Sequence, residues 1–178
     1  LKRFERYLPT LQLKKQQLQM VVRQVEAEIR TKGHELDRLR EELDRWIAVF
    51  GEPIDIGSLV RVGTIETSVG NIAGVDIPVF ESVGFETHPY DLYRTPLWVD
   101  HGIRKLEEIL RLDAELEVLN RQRDRLADEL RITTQRVNLF EKVKIPETRE
   151  NIRRIQIYLG DEKTAAVVRG KIAKRNMQ

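Results

Sequence analysis

Apolar residues recur alternately four and three positions apart through the first fifty residues of the chain. They are Phe4, Leu8, Leu11, Leu18, Val22, Val25, Ile29, Leu36, Leu39, Leu43, Trp46 and Phe50, with Lys15 and Lys32 in the two remaining places of the pattern. A repeat averaging about 3.5 residues draws one narrow apolar seam along a helix, and such a helix buries its seam by supercoiling around another. A helix lying on a globular core carries a wider stripe and stops sooner. The pattern predicts a helix from about Leu1 to Phe50, roughly 75 Å long at about 1.5 Å per residue. Pro9 predicts a kink or a late start in its opening turns. Gly33 costs roughly 1 kcal/mol against alanine, and Gly51-Glu52-Pro53 supplies a stop.

The period then changes from helical to alternating. Leu59 to Val69 and Val75 to Val83 are rich in Val, Ile and Thr and predict two antiparallel strands, with the turn within Asn71-Ile72-Ala73-Gly74. Pro78 cannot donate to a ladder, so the second strand is expected to be an edge or to be bulged there. Glycines (Gly57, Gly63, Gly70, Gly74 and Gly84) and prolines (Pro78, Pro89 and Pro96) punctuate the segment, and Thr87 to Trp98 forms an aromatic, proline-spaced connector.

From about His101 the helical period returns. Its seam reads Leu106, Ile109, Asp113, Leu116, Leu119, Arg123, Leu126, Leu130, Thr133, Val137 and Phe140. This seam is more polar than the first, and two consecutive three-residue steps from Asp113 to Leu119 imply a local change of supercoil. After Pro146 the phase shifts by one residue, to Ile145, Thr148, Ile152, Ile155 and Leu159. Pro146 predicts a kink. Gly160-Asp161 predicts a second break, with Asp161 capping a final helix.

Two long helices separated by a chain reversal can satisfy each other's seams. The expected fold is therefore mainly α: a long intramolecular antiparallel two-helix coiled coil, with a small central β-hairpin at its turning end. Its segments are 1–52, 53–100 and 101–178, with kinks near Pro146 and Gly160, and together they form one elongated domain. The second helical segment is the longer, so one end is expected to protrude unpaired. The rival architecture is a parallel homodimer, which has no need of the reversal.

Composition supports the seam reading. Of 178 residues 34% are charged and only 6% aromatic, as when few positions per heptad carry the burial. Lysine and arginine number 31 against 29 carboxylates, a net charge of +2, which gives no electrostatic case for nucleic acid. The absence of cysteine removes disulfide and thiolate chemistry and leans the compartment towards the cytosol. No apolar run is long enough for a membrane span, and no signal-peptide pattern appears. The chain opens on Leu1 rather than methionine, which leaves room for native residues before it.

Candidate chemistry is sparse. His34, His88 and His101 share no ligand spacing, so no metal site is expected. Paired carboxylates such as Glu41 and Glu42, or Glu107 and Glu108, lie off the seam as solvated helix faces. The glycines form no phosphate loop. Ser68 and Ser82 have no neighbouring histidine in the sequence to activate them. No catalytic, cofactor-binding or metal-binding residue is assigned, and the chain is not expected to be an enzyme. Lys15 and Lys32 either thread their stems through the seam, setting register, or meet an outer partner. A cationic run near the end (Arg169, Lys171, Lys174 and Arg175) suits the negative end of a helix dipole.

One stretch is more specific. Thr133-Thr134-Gln135-Arg136-Val137-Asn138-Leu139-Phe140-Glu141-Lys142-Val143-Lys144-Ile145-Pro146 resembles the TTxRVNALExVxIP signature of the D subunits of the V-type/A-type rotary ATPases. Gly70-Asn71-Ile72-Ala73-Gly74-Val75-Asp76-Ile77-Pro78 is similar to that family's central NIxGVxVP segment. Leu11, Lys14, Lys15 and Leu18 partly match its basic LLKxKRxxL run, with Gln12 and Gln17 departing from it. Phe140 and the Gly160-Asp161 pair are further departures. The resemblance covers the whole chain in the same order of helix, β insertion and helix. It implies a non-catalytic central axle, cytoplasmic and peripheral to the membrane, inside a ring of A and B subunits. It implies further contacts with the small F subunit and with the collar on the ion-carrying rotor ring, without direct membrane insertion. Lys14, Lys15, Asn71, Gly74, Pro78, Arg136, Val137, Asn138, Ile145 and Pro146 are, on this resemblance, the residues of the shaft and its contacts. A free-standing coiled-coil adaptor or chaperone-like protein is the alternative.

Overall fold

The computed structural model describes residues 1–50, 59–87, 96 and 98–176. The expected features at Gly51, Pro53, Gly57, His88 and Pro89, with most of the connector, lie outside these residues, as does the side chain of Phe50. The described elements are α1 (Lys2–Phe50), β1 (Val60–Ile72), β2 (Val75–Thr87), α2 (Val99–Leu139) and α3 (Ile145–Asn176), with one π-helical turn, Phe140–Lys144, between α2 and α3. Among the described residues the fold is mainly α with a single antiparallel hairpin, as the two periods predict. Helix α1 starts at Lys2 and includes Pro9, so the late start does not occur. Contacts divide the chain into two compact units, Gln16–Arg131 and Leu1–Lys15 with Ile132–Gln178.

In the unit Gln16–Arg131, α1 and α2 pack antiparallel. Leu36 and Leu39 cluster with Ile109 and Leu112, while Leu18, Val22 and Val25 cluster with Leu119 and Leu126. Every described seam position of α1 within the unit is buried or half-buried. The seam is satisfied within one chain, which removes the reason for a parallel homodimer. Lys32 keeps its stem in the seam and its Nζ meets Glu115 Oε1 at 2.9 Å, with the two side chains 22% and 29% exposed. The threaded-stem reading therefore holds for Lys32. Asp113 departs from its expected seam place. It is exposed and accepts a hydrogen bond from Arg40 at 3.2 Å, and Leu112 is buried beside it. An ionised carboxylate is costly to bury, so where the three-residue steps offer a choice the leucine turns inward.

The strands are longer than the pattern predicts. Ile72 pairs with Val75, leaving Ala73-Gly74 as a two-residue loop. Both loop residues have positive φ, 53° and 76°, the requirement of a type I′ hairpin turn. Asn71 braces the loop: its Oδ1 accepts from the Gly74 N–H at 3.1 Å and its Nδ2 donates to Asp76 Oδ1 at 2.7 Å. Two register shifts interrupt the ladder, between Val62 and Ile65 and between Glu66 and Thr67. The first adds a residue to β1 and the second adds one to β2.

The hairpin is anchored at both ends. At its base Val60, Leu59 and Phe85 join Val99, Ile103, Ile47 and Trp98, beside the edge-to-face pair of Trp46 and Trp98 with centroids 5.5 Å apart. At its tip Ile77, 2% exposed, clusters with Leu18, Leu119 and Leu126, flanked by Ile72, Ala73 and Val75. The hairpin thus starts at the turning end and runs back along the helix pair. The expectation that Pro78 lies on an edge is met, because each strand of a two-stranded sheet is one. Its carbonyl accepts a hydrogen bond from Gln122 Nε2 at 2.6 Å, and the Asp76 carbonyl accepts one from Arg125 at 3.2 Å. The side of β2 where Pro78 has no N–H to offer is the side that α2 covers.

In the other unit, Phe4 packs edge-to-face on Phe140 with centroids 5.3 Å apart, and Arg149 donates to Glu5 at 2.9 Å. Thr133, Val137 and Ile145 are buried. Phe140 is half-buried and Ile145 buried although they stand five residues apart, a spacing that leaves one face of an α-helix. The π-helical turn absorbs the difference: the Ile145 N–H bonds to the Phe140 carbonyl, and the wider turn returns both side chains to one face. The one-residue slip read from the seam is this inserted residue. The wide turn also removes the demand for an ordinary helical bond just before Pro146, whose ring crowds the carbonyl four residues back. The second break does not occur. Helix α3 continues through Gly160 and Asp161 to Asn176, so Asp161 caps no helix. A single glycine costs a helix only about 1 kcal/mol, and Thr164 Oγ1 donates to the Gly160 carbonyl at 3.0 Å across the site.

Candidate functional site: interaction faces of the helices and hairpin

The residues singled out by the motif fall into two groups. Asn71, Gly74 and Pro78 come together at the hairpin tip, where Asn71 and Gly74 build the turn and Pro78 supplies a carbonyl to Gln122. Lys14, Lys15, Arg136, Val137, Asn138, Ile145 and Pro146 all belong to the unit Leu1–Lys15 with Ile132–Gln178. Within that group burial separates two kinds of residue. Val137 and Ile145 are core, whereas Arg136, Asn138 and Pro146 are exposed, and Lys14 and Lys15 are half-buried. Val137 and Ile145 hold the helix in phase, and Arg136 and Asn138 are available to another surface.

Helix α3 carries the larger exposed surface. From Arg149 to Asn176 every residue is exposed. Ile152, Ile155 and Leu159, which continue the shifted seam, are exposed together with Ile157, Tyr158, Val167, Val168 and Ile172. The expectation of an unpaired end on the longer helical segment is met here. Isolated exposed apolar residues need no explanation, but a run of this length marks a surface that meets another molecule.

Several buried positions of α2 were not marked by the heptad. Leu112, Ala114, Val118 and Gln122 are buried on α2 beside the seam. The signal was a second apolar row on α2 (Ile103, Leu110, Ala114 and Val118) that widens the stripe beyond one narrow seam. Ile77, the buried anchor of the tip, looked like any strand residue.

Three small hollows on the helices are of note among the described residues. One of about 190 Å³ lies among Glu42, Leu43, Trp46, His101 and Lys105. There His101 stacks obliquely on Trp46, centroids 5.1 Å apart. Lys105 donates to Glu108 at 2.8 Å, and this hydrogen bond, with the charge of Glu108, holds the ammonium above its ordinary pKa. The others, of about 230 and 290 Å³, lie beside Leu39 and Leu112 and beside Phe4 and Phe140. None brings together a nucleophile and a base. Among the described residues no three His, Cys, Asp or Glu side chains are grouped to hold a metal ion, and no helix is long and apolar enough to cross a membrane.

The family model for the ATP synthase D subunit matches residues 1–175. The V-type ATP synthase D subunit of Borreliella burgdorferi is 51% identical over 177 residues, covering 99% of this chain and 88% of the relative. The protein of the same name from Chlamydia abortus is 33% identical over 181 residues, covering all of this chain and 87% of the relative. Two long helices with a docked hairpin, the motif around Val137 and Ile145 and these full-length matches agree: the chain belongs to the family of ATP synthase D subunits.

Proposed function

We propose that this chain is the non-catalytic central rotor stalk of a V/A-type ATPase. In that role it transmits torque between ATP hydrolysis or synthesis in a surrounding ring of A and B subunits and proton or sodium movement in a membrane sector. The observation that carries the reading is the exposed apolar run of α3, from Ile152 to Ile172, in a chain matched along its length by D subunits of V-type ATP synthases. A helix that turns inside a ring needs apolar contact on its outside and a core that keeps it stiff. Seam burial of α1 against α2 provides the stiffness, and α3 provides the contact. The small F subunit and the rotor-ring collar are the further partners, and Arg136, Asn138, Lys14 and Lys15 are the polar residues assigned to the shaft contacts. The complex is placed at the cytoplasmic side of a membrane, with this chain peripheral to it.

The test is reconstitution with the A and B subunits and the membrane sector, comparing the full chain with one ended after Pro146. The shortened chain is expected to fold through its two-helix unit. ATP hydrolysis by the ring is expected to continue while ATP-driven ion pumping falls. Unchanged pumping refutes the torque role. Failure of the full chain to assemble with A and B refutes the stalk assignment and returns the adaptor reading.

A further inference from the structure

The chain divides its charge along the same line that divides its contacts. Leu1–Lys15 with Ile132–Gln178 holds 16 lysines and arginines against 6 carboxylates, a net charge of +10. Gln16–Arg131 holds 15 against 23, a net charge of −8. Helix α3 concentrates the cations. After Glu162 it carries Lys163, Arg169, Lys171, Lys174 and Arg175 and no carboxylate. Among the described residues none of these five has a carboxylate partner. The helix dipole accounts for cations in the last turn, which leaves Lys163 and Arg169 unexplained. On the same helix Ile152, Ile155 and Leu159 form one exposed row. At about 100° per residue, Lys163 and Arg169 stand on either side of the line that continues this row. Helix α3 is therefore an exposed apolar row edged by unanswered cations.

The unit Gln16–Arg131 holds a surface of the converse kind. Two of the hollows, of about 190 and 230 Å³, are each lined by both α1 and α2. Glu35, Leu39, Glu42 and Trp46 of α1 recur at steps of four and three and so share one face. Lys105, Glu108, Leu112 and Glu115 of α2 do the same. The two hollows are therefore one furrow, roughly 17 Å long from Glu35 to Trp46 at about 1.5 Å per residue. Leu39, Leu43, Trp46 and Leu112 floor it, and Glu35, Glu42, Glu108 and Glu115 outnumber Lys105 and Arg111 along its edges. Glu35 has no cationic partner among the described residues. Ile103 and Leu110, which pack under the hairpin base, lie on the opposite side of α2, so the furrow faces away from that base.

A furrow with an apolar floor and carboxylate edges takes a helix with an apolar row and cations beside it. Nucleic acid and anionic lipid share the sign of the furrow and are disfavoured. This chain carries such a helix itself, and every residue of α3 from Arg149 onward is exposed. The occupant of the furrow therefore comes from another molecule. We infer that, outside the assembled complex, α3 of one copy lies in the α1–α2 furrow of a second copy. The contact uses neither coiled-coil seam. It goes beyond the stalk reading, because it gives the free chain a cover for its exposed apolar run. A ring that receives α3 must first displace the second copy.

Sedimentation equilibrium of the full free chain tests this. At low salt the mass is expected to exceed that of one chain, with association weakened by about tenfold or more in 1 M salt. Leu159→Asp sits at a side chain 47% exposed, so the fold of one copy tolerates it. It is expected to weaken association by about tenfold or more, because a carboxylate is costly to bury on an apolar floor. Lys163→Glu with Arg169→Glu is expected to weaken association, and so is Glu35→Lys with Glu42→Lys. All four changes in one chain are expected to restore it, which a loss of folding would not do. A single-chain mass at low salt overturns the inference and leaves the stalk reading intact. Association that ignores Leu159→Asp overturns α3 as the occupant, and failure of the fourfold variant to associate overturns the furrow as its seat. Failure to assemble with A and B subunits refutes the stalk reading alone.

Discussion

Replacing Ile77 with alanine separates the stability of the hairpin from that of the helix pair. Ile77 is 2% exposed, against Leu18, Leu119 and Leu126. The substitution removes three carbons, a transfer loss of roughly 2.4 kcal/mol at about 0.8 kcal/mol each. A residual cavity adds to this loss, while collapse of the tip onto α2 relieves part of it, so the expected cost is about 2–4 kcal/mol. An isolated two-stranded hairpin is marginal in water, so this cost falls on docking. Hydrogen exchange followed by mass spectrometry is the assay. Amides of β1 and β2 are expected to lose protection by roughly 30- to 700-fold, at about 1.4 kcal/mol per factor of ten. Amides around Leu36, Leu39, Ile109 and Leu112, which form a separate cluster, are expected to change by less than about threefold. Val69→Ala, at the exposed face, is the control and is expected to leave exchange unchanged in the free chain. The reasoning is refuted if the hairpin keeps its protection, or if α1 and α2 lose as much as the strands do.

Two further outcomes follow from the packing. A double-mutant cycle on Lys32 and Glu115, read by urea unfolding, is expected to give a coupling of about 0.5–1 kcal/mol that shrinks in 1 M salt. A coupling near zero at low salt would remove Lys32 as a register-setting residue. Gly74→Ala places a Cβ at φ 76°, where an L-residue costs about 1–2 kcal/mol, so a thermal midpoint lower by several degrees is expected. No change would mean that the turn can adopt another type.

The α1 seam was legible because burial there follows a single rule. Within Gln16–Arg131 the seam residues Leu18, Val22, Val25, Leu36 and Leu39 cluster with residues of α2, and a period of about 3.5 residues is the direct mark of that geometry. The one-residue slip was legible for the same reason, since an inserted residue shifts every later apolar position, although the sequence places it after Pro146 and the structure at Phe140–Lys144. Docking of the hairpin on α2 was not legible. Besides Ile77, it rests on the carbonyls of Pro78 and Asp76, which accept from Gln122 and Arg125 respectively, and backbone acceptors leave no residue signature. The Gly160 break failed because a local propensity of about 1 kcal/mol does not end a helix whose neighbours on both sides favour it. Among the candidate site residues, the sequence mixed Val137 and Ile145, which are core, with Arg136 and Asn138, which face outward. A motif records that residues matter without recording whether they matter for packing or for contact.

The two register shifts in the hairpin have a consequence for how such a chain can change over time. The extra residue in β1 and the extra residue in β2 cancel, so that Val60 opposite Thr87 and Ile72 opposite Val75 keep the same pairing sum on either side of the interruption. Base and tip are both fastened to the helices, and the two fastenings must stay in phase. A one-residue insertion or deletion in either strand alone would turn Ile77 away from Leu18 and Leu126, because side chains alternate faces at every step. Length changes between the two anchors are therefore expected to be inherited in matched pairs, one in each strand.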